Sequence, residues 1–207
     1  MKEKINHWTL PFGVAVLEKT AVTFSVWAPF AEEVEVKIAG HKRARLIPMK
    51  RGERGCFEAV VENLPVGTRY FYRLNGKAER PDPYSRFQPE GVHGPSEVVD
   101  PYSFEWSASG WNGIPIEDYI TYELHPGTFA PEGTFESIIP RLGYLKNELG
   151  VTAIELMPVA QFPGKRNWGY DGVHLFAPQL SYGGPAGLKR LVDACHQAGL
   201  AARCAVE

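Results

Sequence analysis

Hydrophobic and polar residues alternate with a period of two through most of the first hundred residues. The clearest runs are AVTFSVW, EVEVKI, CFEAVVE and RYFYRL, and turn-forming pairs such as Arg51-Gly52 and Asn75-Gly76 separate them. Alternation of this kind indicates strands with one buried face, and short strands at this spacing favour a sandwich of two sheets. We therefore predict an immunoglobulin-like β-sandwich over residues 1–100. Its predicted inward side chains are Val22, Phe24, Val26, Val34, Val36, Ile38, Phe57, Ala59, Val61, Tyr70, Tyr72 and Leu74.

The pattern changes between residues 78 and 117. This stretch is rich in Pro, Gly, Ser and aromatic residues and has little periodicity. A disordered linker would be poor in aromatic residues, so the composition predicts an ordered segment that packs against both of its neighbours. Residues 101–117 are predicted to form the linker proper.

Residues 118–207 alternate strand and helix patterns. The runs 119–125, 151–157 and 200–206 predict three strands of a parallel sheet, and the first, a short apolar run, is predicted to be fully buried. The predicted fold class is therefore a multidomain β plus α/β chain, in which the sandwich precedes the first βα units of an incomplete TIM barrel. A complete barrel of eight units needs ~250 residues.

Two helices are predicted between these strands. The first follows Thr134, whose hydroxyl suits an N-cap, and contains Pro140 near its start. Its predicted apolar stripe is Ile138, Leu142, Leu145 and Leu149. The second helix opens at Gly184-Pro185 and ends before Gly199. Its predicted buried face is Leu188, Leu191, Val192 and Cys195.

Charge and composition narrow the class of function. The net charge of the 207 residues is −2, and no run of Lys or Arg provides a local attraction to nucleic acid or to an anionic membrane. No apolar stretch approaches the ~20 residues of a membrane-spanning helix. The three cysteines lack the spacing of metal ligands. We expect a cytoplasmic protein with reduced thiols, no cofactor and no metal site, and we make no prediction of its oligomeric state.

The loop after the second predicted strand holds the candidate binding residues. It runs from Pro158 to about Gly183 and is much longer than the usual 2–6 residues. It contains the run NWGYDG at 167–172. Aromatic rings beside a carboxylate suit a sugar, because a ring stacks on the apolar face of a pyranose and the carboxylate accepts hydroxyl hydrogen bonds. The alternative is that Trp168 and Tyr170 pack the loop onto the barrel rim.

At these residues the chain resembles the α-amylase superfamily of glycoside hydrolases, family 13. The resemblance covers nearly the whole chain to about Ala202. It is carried by FSVWAP (24–29), RFQPEGVHGPS (86–96), YELHPGTF (122–129), IELMPV (154–159) and WGYDG (168–172). The run RFQPEGVHGPS is the most specific, and it resembles the branch that acts on malto-oligosyltrehalose.

The resemblance implies hydrolysis of an α-1,4 bond of an α-glucan, malto-oligosyltrehalose, with release of trehalose. Family chemistry is retaining and uses two carboxylates. The resemblance implies that these lie on later barrel strands, so we assign no catalytic residue and expect a chain truncated before them that is inactive alone. It assigns sugar stacking to Tyr170, with Trp168 and Asp171 as neighbouring substrate-binding candidates. The departure from the family pattern begins near Arg203, which has to be paired or exposed in a strand.

Other polar residues are better explained by structure than by chemistry. The strand residues Glu123 and Glu155 are expected to bind neighbouring groups, and Asp193 is expected to be solvated on a helix surface. His125, at the end of the first strand, faces the loop side and is the strongest remaining candidate for lining the site. His93 is expected to fix the linker motif, and His196 to lie on a helix surface.

Two alternative functions remain open. The sandwich could be a non-catalytic α-glucan-binding module, with Phe24, Trp27, Tyr70 and Tyr72 as its candidate aromatic platform. The chain could also be a fragment of a glycogen branching or debranching enzyme, since FSVWAP and WGYDG are shared with those relatives.

Overall fold

Two antiparallel sheets form the first half of the molecule. The structure, a computed structural model, describes residues 11–18, 21–40 and 45–205. The strands there are β1 (Gly13–Glu18), β2 (Ala21–Trp27), β3 (Val34–Ile38), β4 (Arg45–Pro48), β5 (Lys50–Arg51), β6 (Cys56–Glu62), β7 (Arg69–Leu74), β8 (Ala78–Arg80) and β9 (Ser96–Glu97). One sheet has the order β1-β2-β6-β5, and the other has the order β4-β3-β7-β8 with β9 added to β7. The predicted β-sandwich is confirmed.

The core of the sandwich consists of the side chains that the alternating pattern points inward. Phe24 packs edge-on against Tyr70, with ring centroids 4.9 Å apart. Ten of the predicted inward residues are at most 5% exposed, whereas Ala59 and Leu74 are only partly buried against the cluster. The ten are Val22, Phe24, Val26, Val34, Val36, Ile38, Phe57, Val61, Tyr70 and Tyr72.

The segment after β8 is ordered by buried polar contacts with the sandwich. The carboxylate of Asp82 accepts hydrogen bonds from the Tyr70 hydroxyl at 2.6 Å and from the backbone N–H of Tyr84 at 2.8 Å. The N–H of Asp82 donates to the Ser96 hydroxyl at 2.9 Å. Asp82 has no exposed surface, and this burial raises the pKa of its carboxyl to about 6.

The same segment also contacts the second half of the molecule. The Tyr84 ring stacks on that of Phe176 with centroids 5.1 Å apart, and the Gln88 amide lies 3.2 Å from the ring nitrogens of His174. Gln88 and His174 are both buried. The prediction that this segment is ordered and packs against both neighbours is confirmed.

A parallel sheet organises residues 118–205. Its order is β10-β11-β14, where β10 spans Thr121–Leu124, β11 spans Ala153–Leu156 and β14 spans Ala201–Cys204. A hairpin, β12 (Ala160–Gln161) with β13 (His174–Pro178), lies between β11 and the following helix. Parallel strands joined by helical crossovers are the architecture that the sequence predicts.

The predicted first helix is broken into short pieces. They are α1 (Pro126–Phe129), α2 (Phe135–Ile138) and α3 (Leu142–Asn147), with a 3₁₀ turn at Ile139–Arg141. Thr134 caps α2 as predicted, in a reciprocal capping box with Ser137. The break falls at Pro140, which cannot donate a backbone hydrogen bond. Leu149 was wrongly included in the apolar stripe, because it follows α3 and is 48% exposed.

The predicted second helix is a single element, α4 (Gly184–Gln197). Gly199, just beyond its end, has a φ of 68°, as expected for a residue at this position. Leu191 and Cys195 are fully buried, whereas Leu188 is only partly buried and packs against the same cluster. Every helix among the described residues is too short or too polar to span a bilayer.

The prediction that the first parallel strand is fully buried is wrong. The strand β10 is not buried throughout, since Thr121, Tyr122 and Glu123 are exposed and only Leu124 is buried. Its pairing explains this, because in the described structure β10 pairs with β11 on one side only. The third predicted strand reached Val206, which lies outside the described residues.

Asp193 is not the solvated helix-surface residue that we predicted. It is 8% exposed, and its carboxylate accepts hydrogen bonds from the backbone N–H groups of Ser107 and Ala108 at 3.0 and 3.1 Å. The Ser107 hydroxyl donates to it at 2.5 Å. Asp193 therefore ties the segment around residue 107 onto α4. Nearby, His196 stacks on Trp111 with ring centroids 4.7 Å apart, so His196 is covered by the same segment.

Candidate functional site

The long loop between β11 and α4 is closed at its base by two buried glutamines. The Gln161 side-chain oxygen accepts from the N–H of Leu180 at 2.9 Å, and the Gln179 oxygen accepts from the N–H of Phe162 at 3.0 Å. The side chain of each glutamine therefore accepts a hydrogen bond from the backbone of the residue that follows the other glutamine. Both are 1% exposed. This reciprocal pair fixes the two ends of the loop, so the residues between them project from a rigid base.

His125 and Tyr182 hold the middle of the loop. The Nε2 of His125 lies 2.7 Å from the carbonyl oxygen of Asn167, and the Tyr182 hydroxyl lies 3.3 Å from the same oxygen. The Tyr182 hydroxyl is also 3.0 Å from the Nε2 of His125. The prediction that His125 faces the loop side is confirmed. Burial raises the pKa of Tyr182 to about 12, so its hydroxyl remains protonated at neutral pH.

The side chain of Asn167 shapes the turn that carries Trp168, Tyr170 and Asp171. Its oxygen accepts from the N–H of Gly169 at 2.7 Å, and its amide donates to the carboxylate of Asp171 at 2.6 Å. Gly169 has a φ of 104°, and a Cβ there would lie 2.3 Å from the carbonyl oxygen of Pro158. Only glycine fits this backbone and this approach.

A cavity of about 440 Å³ opens between the loop and the end of β10. Among the three predicted binding residues, Trp168 lines it; its ring lies 5.0 Å from that of His125 and is 62% exposed. Tyr170 is 55% exposed on the same turn but does not line the cavity, and Asp171 is held by Asn167. The described lining is His125, Gly127, Thr128, Lys165, Arg166, Asn167, Trp168 and Tyr182.

Of the eight described lining residues, sequence reasoning singled out only His125 and Trp168. Asn167, Lys165, Arg166 and Tyr182 were not singled out individually, although all four lie in the long loop that was. Tyr182 had no signal of its own, because it reaches His125 only when the chain has folded back over 57 residues. The exposed face of Trp168 argues against the alternative that its ring only packs the loop onto the rim.

The cavity lining contains cations and no carboxylate among the described residues. Glu155 lies in β11 and pairs with Arg203 at 3.0 Å, as expected for a strand carboxylate, and Glu123 is exposed on β10. His93 is exposed in the segment after β8. No group of three or more His, Cys, Asp or Glu residues in the described ranges could hold a metal ion, and Cys56, Cys195 and Cys204 are free thiols.

Two family models match the chain. Carbohydrate-binding module 48, the isoamylase N-terminal domain, matches residues 11–103, and the alpha amylase catalytic domain matches residues 81–202. The two matches overlap in the segment that contacts both halves of the fold.

Curated relatives and solved structures are similar over most of the chain. Malto-oligosyltrehalose trehalohydrolase of Saccharolobus solfataricus is 52% identical over 89% of this chain and 32% of its own length. The enzyme of that name from Deinococcus radiodurans is 46% identical over 86% of this chain and 28% of its own length. A putative α-amylase from Salmonella typhimurium superposes with a TM-score of 0.90 and 43% identity, over 95% of this chain and 33% of that one. The chain thus spans about a third of the length of these relatives.

Proposed function

Because this chain belongs to the α-amylase family of glycoside hydrolases, we propose that its 165–171 loop binds an α-glucan chain. The substrate we propose for the whole enzyme is malto-oligosyltrehalose, with hydrolysis of the α-1,4 bond that releases trehalose. Support for this substrate comes from the relatives at 52% and 46% identity, both named malto-oligosyltrehalose trehalohydrolase.

One observation carries the binding proposal: Trp168 presents an exposed ring at a cavity whose lining also contains polar side chains, among them Lys165 and Arg166. An aromatic ring covers the apolar face of a glucose unit, while hydroxyl groups of the sugar bond the polar walls. Lys165 and Arg166 supply donors in the lining, and the Thr128 hydroxyl oxygen can accept. Tyr170 and Asp171 are proposed to contact the sugar from the same turn, outside the cavity.

The chain by itself is proposed to bind without hydrolysing. A retaining glycosidase needs two carboxylates ≈ 5–5.5 Å apart, one as nucleophile and the other as acid and base. The described lining of the cavity supplies cations and hydrogen-bond donors in their place. We also propose the division into a sandwich (1–100), a linker (101–117) and a βα part (118–207), which agrees with the change from antiparallel to parallel sheets.

The competing function is sugar binding on the sandwich, and most of the aromatic residues predicted to form its binding surface are buried. Phe24, Tyr70 and Tyr72 are at most 1% exposed, and only Trp27 of the four candidates is exposed. A single ring offers less stacking surface than the coplanar pair that this function requires.

Calorimetric titration with maltoheptaose distinguishes the two binding functions. Trp27 and Trp168 are 58% and 62% exposed, so Trp27→Ala is a matched control for Trp168→Ala. Loss of a stacking ring costs on the order of 1 kcal/mol or more, so we expect Trp168→Ala to weaken binding at least about fivefold and Trp27→Ala to leave it unchanged. The opposite ranking would assign binding to the sandwich, and a chain with no measurable affinity would refute the proposed function. Incubation with malto-oligosyltrehalose should release no trehalose.

A further inference from the structure

The carbonyl oxygen of Asn167 is one point at which the proposed sugar-binding loop contacts the rest of the fold. This oxygen lies within hydrogen-bond distance of two side chains that are distant in sequence: His125, 42 residues before it, and Tyr182, 15 residues after it. His125 is 8% exposed and Tyr182 is 1% exposed, so both side chains are largely removed from water, while Asn167 is half-buried. A hydrogen bond with a buried side chain holds its geometry more firmly than a bond that water replaces freely.

For a neutral imidazole, the tautomer of His125 follows from its two neighbours. A ring nitrogen 2.7 Å from a carbonyl oxygen has to donate, so Nε2 carries the proton. Nδ1 then accepts from the Thr128 hydroxyl at 3.1 Å. The imidazole is thereby fixed in one tautomer and one orientation by the first residues after β10.

Gly127 leaves these rings little freedom. A Cβ at Gly127 would lie 2.9 Å from the Cε1 of His125 and 3.0 Å from the Cε1 of Tyr182. Tyr182 also packs edge-on against Phe135 and Phe162, with centroids 5.8 and 5.7 Å away. The side chains of His125 and Tyr182 are therefore held in place by the packed core, whereas the turn that they contact lies at the surface.

We propose that His125 and Tyr182 are positioning residues that fix the 167–171 turn through the Asn167 carbonyl, so that Trp168 is presented to the glucan before it binds. Asn167 transmits the constraint, since its side chain bonds both Gly169 and Asp171. His125 thus affects sugar binding by holding the 167–171 turn in place. This inference rests on the proposed function for its meaning, although the constraint on the turn can be measured without any sugar.

The test compares variants of the full chain by hydrogen exchange and by maltoheptaose titration. His125→Phe keeps a ring and removes the donor, and Tyr182→Phe removes only the hydroxyl. His125→Gln restores a donor near the position of Nε2. His93→Phe is the control, because His93 is exposed in the segment after β8.

Loss of one buried hydrogen bond should speed amide exchange in residues 165–171 by about tenfold and weaken maltoheptaose binding by a similar factor. Exchange within α4 should be unchanged, and His125→Gln should recover most of both losses. Binding by the double variant His125→Phe/Trp168→Ala should match that of Trp168→Ala alone.

Two results would overturn the proposal. One is unchanged exchange in 165–171 for both His125→Phe and Tyr182→Phe. The other is faster exchange throughout the βα part in both variants, which would make the pair general supports of the core. If the turn loosens as expected but the wild-type chain does not bind maltoheptaose, the proposed function fails while the positioning role stands.

Discussion

The guanidinium of Arg203 lies 3.0 Å from the carboxylate of Glu155, its direct partner in the parallel register of β11 and β14. The two side chains are 54% and 19% exposed. Arg203 thus meets both conditions expected of an arginine in this strand, since it is paired and its head group reaches solvent. Glu155 depends more on the pair, because its carboxylate is the less exposed partner.

Arg203→Ala should lower the free energy of unfolding by about 1 kcal/mol, because it leaves the Glu155 carboxylate partly buried without its cation. In a double-mutant cycle with Glu155→Gln, the coupling should be about 0.5–1 kcal/mol and should fall as salt is raised. Urea unfolding at two ionic strengths measures both quantities. Arg141→Ala, at an exposed position after α2, is the control. A coupling energy of zero would mean that the Arg203–Glu155 ion pair does not contribute to stability.

Asp82 should make the sandwich less stable as pH rises from about 4 to about 7. Its pKa is raised from 3.8 to about 6 by burial, partly offset by the hydrogen bonds from Tyr70 and Tyr84. In this window the folded chain holds a proton that the unfolded chain has released, so the free energy of unfolding falls with increasing pH. The loss between pH 4.5 and pH 7 should be on the order of 2 kcal/mol.

Comparison with Asp82→Asn isolates this contribution, because the other titrating groups are common to both proteins. The difference in unfolding free energy, wild type minus variant, should be larger at pH 4.5 than at pH 7. A difference that does not change with pH would show that Asp82 ionises in the folded state as readily as in the unfolded one.

Local signals in the sequence were sufficient for the main strands and for the starts of two helices. Thr134 and the Gly184-Pro185 pair mark helix starts through backbone chemistry that acts within one turn. The alternation around Phe24 and Tyr70 identifies a buried face because strand geometry has a strict period of two. The errors at Leu149, Tyr122 and Asp193 concern which neighbour covers a side chain, and that depends on residues far away in the sequence.

The residues of the candidate site likewise fall into those that local sequence signals identify and those that depend on distant partners. Trp168, Tyr170 and Asp171 could be found because they lie together in one unusually long loop. Tyr182, Gln161 and Gln179 support that loop from its base, and their partners become apparent only when the hairpin closes. A polar residue in an apolar stretch is ambiguous until its hydrogen-bond partner is known, which limits what a single sequence can predict about the supports of a site.

Asp193→Ala should release the segment around Ser107 from α4. The carboxylate accepts bonds from Ser107, Ala108 and Gln197, and the bond from the Ser107 hydroxyl lowers the pKa of Asp193 below its usual value of 3.8. Its contribution to stability is therefore present at neutral pH and is lost as pH falls through the folded-state pKa. Limited chymotrypsin digestion should cleave near Phe104 and Trp106 several-fold faster in the variant at neutral pH.

Glu148→Ala, which removes an exposed carboxylate beyond α3, controls for the change in charge and should leave the digestion rate unchanged. Equal cleavage of wild type and Asp193→Ala would mean that the packing of Trp111 on His196 is sufficient to hold the segment.

The last prediction uses two glycines of the long loop between β11 and α4 that differ in one respect. Gly164 and Gly169 both have positive φ, 82° and 104°, so alanine at either position adopts an unfavourable backbone at a cost of about 1–2 kcal/mol. Only at Gly169 would the new Cβ collide with backbone, 2.3 Å from the Pro158 carbonyl oxygen, whereas nothing lies within 4 Å at Gly164. Gly169→Ala should therefore displace the turn that carries Trp168 and weaken maltoheptaose binding more than tenfold, while Gly164→Ala should lose stability but keep its affinity.

Urea unfolding measures the cost of backbone strain in each variant, and calorimetric titration with maltoheptaose measures the effect of displacing the turn. Equal affinities would show that the turn can move away from Pro158 without disturbing Trp168, because backbone strain alone is common to both substitutions.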